Sequence, residues 1–212
     1  MSKLNVVGIS GSQSRPSRTS ALVSAVLDSI QELSIEELEG ANTQSYDLAD
    51  VGPGLFAAAS FDRLSAQSRE IIEDIEGADL IVVGTPVYRG SYTGAFKHVF
   101  DLVRHDRLHG TPVILTATGG SLSHALVTEH QLRPLFGFFG ALSLPTTLYA
   151  IESDFSNYVL VSGAISQRVA LAANEAIEAL RPRVRPPRSE RAAVSAEVLP
   201  EGASQISSKL IF

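Results

Sequence analysis

The chain has 212 residues, 44% of them hydrophobic and 19% charged, so it is long enough to bury the core of one globular domain. Its formal net charge of −6 argues against a nucleic-acid or anionic-membrane partner, because such partners need a concentrated positive surface. The sequence contains no cysteine, which excludes disulfides, thiolate metal sites and cysteine nucleophiles. The apolar run after Met1 is too short for a signal peptide or a membrane span, so we expect a cytoplasmic protein.

A buried strand is predicted from Leu4 to Ile9, because the run is short, apolar and without alternation. The polar stretch 10–20 follows it, and helical periodicity then runs from Ala21 to Leu33. The first amides of such a helix have no internal partner, and the helix dipole favours negative charge there. The stretch holds five serines, one threonine and two arginines, which suits an anion site. The alternative is a helix cap with nothing bound.

The remaining elements alternate between strands and helices. In chain order they are a strand at 43–48, a loop at 52–54, a helix at 62–76, a strand at 78–83, a helix at 95–103, a strand at 113–116, a strand at 141–150 and a helix at 165–180. A long helix should also run from Ser123 toward Gly137. Pro134 interrupts it and removes the amide that would bond the carbonyl of His130, so we expect a kink or a bulge near His130.

The loop at residues 84–94 connects a buried strand to a helix and contains two tyrosines, one arginine and three glycines. Glycine lets the backbone approach a ligand closely, and a ligand pocket places aromatic edges around a flat molecule. The alternative is an ordinary connection between a strand and a helix.

Five strands separated by helices predict a doubly wound parallel sheet between two layers of helices. Ligands bind such sheets beyond the carboxyl ends of the strands. The loops 10–20, 84–94 and 117–121 follow the first, third and fourth predicted strands, so all three belong to that edge. They predict phosphate on the first loop and a planar ring between the other two. Residues 1–180 form the predicted domain, and the arginine- and proline-rich residues 181–212 predict a mobile tail.

Three groups of residues carry a resemblance to a known family. They are Gly11-Ser12 with residues 16–20, Thr85-Pro86-Val87-Tyr88 with residues 91–97, and Ala117-Thr118-Gly119-Gly120 with His124 and residues 132–134. Together they resemble the NAD(P)H-dependent FMN reductases over about residues 4–180. The resemblance implies a flavodoxin-like α/β/α fold with strand order 2-1-3-4-5. Within the family, the chain is most similar to the reductases that serve alkanesulfonate and methanesulfonate monooxygenases.

This resemblance implies an oxidoreductase that transfers a hydride from NADH or NADPH to N5 of FMN and supplies reduced flavin to a partner monooxygenase. The cofactors carry the chemistry, so no catalytic side chain is expected. The residues implied to hold the FMN phosphate are Ser10, Ser12, Ser17, Arg18, Thr19 and Ser20. Those implied to line the ring are Pro86, Val87, Tyr88, Arg89 and Ser91. Those implied near the flavin edge that becomes negative on reduction are Thr118, Gly119 and Gly120, with Ser121 beside them.

The chain departs from the family pattern after Gly11-Ser12, where Gln13 and Ser14 replace the usual proline and arginine. The resemblance therefore does not decide whether Arg15 or Arg18 is the arginine that contacts the phosphate.

The chain is similar to the sulfonate branch of the family in one further respect. That branch has a one-residue insertion that makes a bulged turn beside the flavin at a tetramer interface. His130 stands at that position, so the resemblance implies a homo-oligomer, either a dimer or a tetramer. The alternative is a surface histidine on a kinked helix. His124 would neighbour the flavin, although His124 and His98 are more often structural histidines. The five histidines have no metal-ligand spacing, so we expect no metal site.

Two other functions compete with this interpretation. The first is an enzyme of the same fold that keeps FMN bound and reduces a quinone, an azo dye or a metal oxyanion. The second is a flavodoxin-type electron carrier. Carriers present a strongly acidic surface, whereas this chain is only moderately acidic and has Arg89 in the loop at residues 84–94, so this function is disfavoured. An oligomeric scaffold that has lost its ligand is a third alternative, and the intact loops argue against it.

Overall fold

The computed structural model describes residues 3–38 and 40–181, so the tail predicted at 181–212 lies outside the described residues except for Arg181. The strands are β1 Leu4–Ser10, β2 Ala41–Asp47, β3 Leu80–Pro86, β4 Pro112–Gly119, β5 Leu142–Ser143, β6 Leu148–Ile151, β7 Phe155–Ser156 and β8 Val159–Leu160. The α-helices are α1 Arg18–Glu37, α2 Leu48–Phe56, α3 Ala66–Glu76, α4 Gly94–Leu102, α5 Arg133–Phe138 and α6 Gly163–Leu180. Short turns of 3₁₀-helix lie at Phe61–Arg63, Leu122–His124 and Glu152–Asp154, and a π-helical turn lies at Thr128–Leu132.

The main sheet is parallel and has the order β2-β1-β3-β4-β5, with β6 also paired to β4. The predicted doubly wound sheet and its strand order are therefore confirmed. Strands β3 and β4 are buried along almost their whole length, while β2 has mixed exposure, as expected for an edge strand. Among the described residues, no helix is both long enough and apolar enough to cross a lipid bilayer.

The core lies on both faces of the sheet, because successive side chains of a strand point to opposite faces. Val6 packs on the face covered by α1 and α6, and its neighbour Val7 packs on the face covered by α2 to α5. On the second face, Phe100 lies 4.9 Å from both Phe96 and Phe136 between ring centroids. These fully buried aromatics attach α4 and α5 firmly to the sheet, which fixes the start of α4 at the end of the 84–94 loop.

Helix α1 is longer than predicted and begins within the polar stretch at Arg18. Ser17 caps it, since its side chain accepts a hydrogen bond from the amide of Ser20. The loop predicted at 52–54 is wrong, because these residues lie inside α2. Gly and Pro disfavour a helix locally, but Leu48 and Leu55 bury one face of α2, and this tertiary packing outweighs the local preference.

Two further predictions needed correction. The helix predicted at 62–76 begins only at Ala66, where Ser65 provides the cap, and a single 3₁₀ turn precedes it. The strand predicted at 141–150 is divided into β5 and β6 by a segment that contains Pro145, because proline has no amide to donate to the sheet. The sequence analysis also missed the antiparallel hairpin of β7 and β8, whose strands are only two residues long.

Candidate functional site

Three loops leave the sheet at one edge and are hydrogen-bonded to each other. The first loop comprises residues 10–20, the second 84–94 and the third 117–121. Ser10 at the end of β1 pairs in register with Gly84 on β3, so the first two loops begin at the same height. The amide of Gly11 donates to the carbonyl of Gly84 over 2.7 Å. The amide of Val87 donates to the carbonyl of Thr118 over 2.8 Å, which ties the second loop to the third. The edge between β1 and β3 is also where the strand order reverses, the usual ligand position in such sheets.

Buried threonines hold these loops together. The hydroxyls of Thr19 and Thr118 lie 2.6 Å apart, joining the first turn of α1 to the end of β4. Thr93 caps α4 by accepting from the amide of Phe96, and its hydroxyl donates to the carbonyl of Gly11 over 3.3 Å. Because these hydroxyls are buried and paired, the arrangement of the loops is set by the fold before any ligand arrives.

The first loop leads into α1, whose first turn has features that favour an anion. Its first turn contains no acidic residue, and the amides of Arg18 and Thr19 belong to the set that an α-helix leaves without an internal partner. The helix dipole adds positive potential at the same point. Arg18 stands at the first helical position and brings a guanidinium to this end.

The serines of the first loop are engaged mainly with the protein itself. The hydroxyls of Ser10 and Ser20 lie 2.9 Å apart, and Ser20 donates to a carboxylate oxygen of Asp47 over 2.5 Å. Ser12 is buried and its hydroxyl donates to the carbonyl of Ser14 over 3.3 Å. The backbone amides at the start of α1 are therefore the main donors left for an anion.

The two arginines of the first loop both pair with carboxylates. Arg15 contacts Asp47 and Asp50, at the junction of β2 and α2. Arg18 pairs with Glu152, which follows β6. Of the two, Arg18 lies on α1 itself, so the phosphate contact that sequence left open fits Arg18 better than Arg15.

The second loop makes a tight turn whose tip points into solvent. The amide of Tyr88 donates to Ser91 and the amide of Ser91 donates back, over 3.0 and 3.3 Å. Arg89 and Gly90 between them have φ values of 55° and 81°, the left-handed pair of a type I′ turn. Tyr88 is 60% exposed, and Arg89 makes no ion pair within the described part of the chain. Pro86 and Val87 are half-buried at the base of the loop.

The third loop is fixed by Tyr149, a residue that the sequence analysis missed. The Tyr149 hydroxyl donates to the carbonyl of Ser121 over 2.7 Å, and burial raises the pKa of this phenol. A methyl group on Gly119 would lie 1.9 Å from the same hydroxyl, so a larger residue there would displace the Tyr149 ring. A methyl group on Gly120 would meet nothing within 4 Å, so the backbone there faces open space.

The predicted wide turn at His130 is confirmed, since Thr128–Leu132 forms a π-helical turn just before Pro134. His130 and His124 are both exposed. His98, in contrast, has its ring nitrogen 3.0 Å from the carbonyl of Ala58, which makes it a structural histidine.

The π-helical turn is attached both to the sheet and to the second loop. Arg133 forms a bidentate pair with Glu129 at 2.6 and 3.0 Å, which lowers the pKa of the Glu129 carboxyl and raises that of the Arg133 guanidinium. Arg133 also donates to the carbonyl of Leu144, between β5 and β6. The next residue after His130 is Gln131, whose side-chain oxygen accepts from the hydroxyl of Ser91 over 3.1 Å.

Gln131, Tyr149 and Glu152 are the site residues that sequence reasoning missed. Glu152 follows β6 and therefore belongs to the same sheet edge as the three loops, a signal that was available in the predicted strand order. Gln131 and Tyr149 gave no such signal, since each reaches a loop through a side-chain contact 28 to 40 residues away in sequence.

The residues present fit a phosphate attached to a planar ring. Free amides and a guanidinium meet at the start of α1, and the backbone at Gly90 and Gly120 borders open space that a flat group can fill. The described residues contain no group of three His, Asp or Glu side chains placed to hold a metal ion.

A doubly wound parallel sheet with this strand order and helices on both faces defines the class of flavodoxin-like proteins. The family model described as NADPH-dependent FMN reductase matches residues 4–156, and the chain belongs to that family.

Individual relatives agree with the family match. The FMN reductase (NADPH) of Pseudomonas aeruginosa is 44% identical over 176 residues, which are 82% of this chain and 91% of the relative. The NADH-dependent FMN reductase SfnF of Pseudomonas fluorescens is 47% identical over 174 residues, or 82% of this chain and 90% of the relative. The X-ray structure of an oxidoreductase from Corynebacterium diphtheriae matches with a TM-score of 0.78 at 31% identity, covering 85% of this chain and 98% of that one. The predicted family, its fold and its oxidoreductase class are therefore confirmed.

Proposed function

We propose that this protein reduces FMN with NADH or NADPH and passes the reduced flavin to a monooxygenase that acts on sulfonates. The observation that carries the proposal is the mutual hydrogen bonding of three loops at the switch point, beside a helix start that is free to bind phosphate. Relatives named for FMN reduction with NADPH and with NADH support the reaction and leave the nucleotide preference open. The resemblance to sulfonate-serving reductases supports the partner.

The side chains bind and orient rather than react. The backbone amides at the start of α1 and the guanidinium of Arg18 bind the phosphate, and Ser10, Ser12, Ser17, Thr19 and Ser20 surround it. The base of the second loop and the third loop enclose the ring on two sides, from Pro86 to Ser91 and from Thr118 to Ser121. FMN, when bound, accepts a hydride from the reduced nicotinamide. The exposed tip at Tyr88 and Arg89 leaves an approach for that nucleotide, and the exposed His124 and His130 are assigned to the border of the site as part of this proposal.

The protein is proposed to act as a homo-oligomer, as a tetramer built on the segment around the π-helical turn. Large apolar side chains are exposed along this segment, which is unusual for a free surface. They are Leu122, Leu126, Phe138 and Leu142, with exposures of 67%, 61%, 73% and 54%. A cytoplasmic location is proposed as well, because the reaction consumes reduced nicotinamide nucleotide from the cell interior.

The reaction is tested on purified protein by its flavin content and by NADH and NADPH oxidation with and without added FMN, riboflavin or quinone. Colourless protein that oxidises the nucleotide only when FMN is added supports the proposal. Yellow protein that oxidises it only when quinone is present would point to a quinone or azo reductase instead. Absence of oxidation under every condition would leave the electron carrier.

The oligomer is tested by analytical ultracentrifugation of His130→Ala, with His105→Ala as the control for loss of an exposed histidine. His130→Ala is expected to lower the mass or the FMN affinity. Unaltered mass and unaltered FMN kinetics would show that His130 belongs to neither the interface nor the site.

A further inference from the structure

The hairpin of β7 and β8 packs against α1 near the helix end that is proposed to bind phosphate. The Arg18 guanidinium pairs with Glu152, and it also lies 5.4 Å from the centre of the Tyr158 ring. Arg18 is therefore held between a carboxylate and an aromatic face, both from the segment that follows β6.

The geometry of that segment is fixed by its own hydrogen bonds. Strands β7 and β8 pair Phe155 with Leu160, and the turn between them places Asn157 and Tyr158 at φ values of 46° and 64°. At the base, a side-chain oxygen of Asp154 accepts from the amide of Ile151 over 2.8 Å. Asn readily adopts such left-handed angles in a two-residue hairpin turn, whereas Tyr adopts them rarely. Glu152 is thus kept beside Arg18 by the hairpin.

The charges around the first loop nearly cancel. Its two cations, Arg15 and Arg18, face three carboxylates: Asp47 and Asp50 on one side and Glu152 on the other. A phosphate dianion that approaches the start of α1 meets a guanidinium already satisfied in part by Glu152, and it is also repelled by that carboxylate. Both effects oppose binding of the FMN phosphate, while neither acts on riboflavin, which carries no phosphate.

We propose that Glu152 is a positioning residue that competes with the FMN phosphate for Arg18 and so keeps the flavin exchangeable. This inference rests on the proposed function, in which FMN must enter and reduced flavin must leave. The competition gives the hairpin a role in the release of product as well as in the fold.

The test compares FMN and riboflavin affinities of the wild type and Glu152→Gln by quenching of flavin fluorescence. The Arg18–Glu152 pair is exposed to solvent, and an exposed ion pair changes an equilibrium constant by roughly two- to five-fold. Glu152→Gln should therefore tighten FMN binding by roughly two- to five-fold and leave riboflavin binding unchanged. Combining it with Arg18→Gln should abolish the gain, because the competed cation is gone.

Glu36→Gln is the matched control, since it removes the same charge from the far end of α1, about 27 Å from Arg18 along the helix. It should leave both affinities unchanged. FMN affinity that is unchanged or weaker in Glu152→Gln would overturn the inference, as would an equal gain for riboflavin or a gain that persists without Arg18. If the wild type binds neither flavin, the proposed function itself fails, which is a different result from a wild type that binds FMN with no effect of Glu152.

Discussion

Replacing Gly119 with alanine should destabilise the protein, because the new methyl group would lie 1.9 Å from the Tyr149 hydroxyl and 2.9 Å from the ring carbon that carries it. The clash is with the far end of a side chain, so the Tyr149 ring is expected to swing away while β4 stays in place. That movement breaks the hydrogen bond from the hydroxyl to the carbonyl of Ser121. The third loop then loses its attachment to β6, the strand that carries Tyr149.

The expected loss follows from these two effects. A lost hydrogen bond costs about 0.5–1.5 kcal/mol, and a ring forced off its preferred rotamer costs about the same again. The free energy of unfolding should therefore fall by about 1–3 kcal/mol. In a domain of this size, each kcal/mol lowers the Tm by about 2–4 °C.

The assay is urea unfolding followed by circular dichroism, carried out as a double-mutant cycle with Tyr149→Ala. Removing the Tyr149 ring removes the obstacle, so Gly119→Ala should cost much less in that background. We expect a coupling of about 1 kcal/mol or more between the two sites. Strictly additive effects would refute the reasoning, since they would mean that the methyl group does not meet Tyr149.

Gly120→Ala provides the adjacent control, because its methyl group would meet nothing within 4 Å. Its unfolding free energy should stay within about 0.5 kcal/mol of the wild type. FMN binding should nevertheless weaken, because the methyl group would occupy the space proposed for the ring.

Three further predictions concern Glu76, Ser91 and Glu129. Glu76→Gln should lower the free energy of unfolding by about 1–2 kcal/mol, because the Glu76 side chain is only 4% exposed and accepts charged hydrogen bonds from Arg104. Ser91→Ala should raise the KM for FMN by roughly two- to five-fold with little change in stability, since it frees the second loop from the π-helical turn. Arg133 lowers the pKa of Glu129, so the pair contributes stability above the ordinary glutamate pKa, and this contribution is lost as the pH falls through the lowered value. The Tm advantage of wild type over Glu129→Gln should therefore shrink as the pH falls below about 4.3.

Each of these has its own control. Asp101→Asn removes an exposed carboxylate from its pair with Lys97 and should cost less than about 0.5 kcal/mol, so an equal cost at Glu76 would contradict a role for burial. Ser166→Ala removes an exposed hydroxyl on α6 and should leave the KM unchanged. A Tm difference for Glu129→Gln that is constant with pH would show that the carboxylate charge contributes nothing.

The parts of the fold that sequence predicted well are those that a short stretch decides by itself. β1, β3 and β4 are buried on both faces, so their apolar runs show no alternation and read directly as interior strands. The wide turn at His130 was also predictable, because Pro134 removes one particular amide from the helix.

The errors arise where distant contacts outweigh local preference. Residues 52–54 have the composition of a loop, yet the burial of Leu48 and Leu55 keeps them helical. The candidate site shows the same division. The positions of its loops were predictable, because the loops follow strands that end at one edge of the sheet. Tyr149 and Gln131, which hold these loops by hydrogen bonds, were not predictable, because they depend on side-chain contacts that no local pattern encodes.

The division of the last strand by Pro145 has a consequence for the behaviour of the protein in concentrated solution. A long, straight edge strand exposes a row of free amides and carbonyls on which another chain can pair and start aggregation. Here the pieces β5 and β6 have two and four residues, and the interruption denies a neighbour a continuous row. The most apolar strands, β3 and β4, lie behind this edge and are not offered to other molecules. Pro145 therefore protects this edge of the sheet from pairing with another chain.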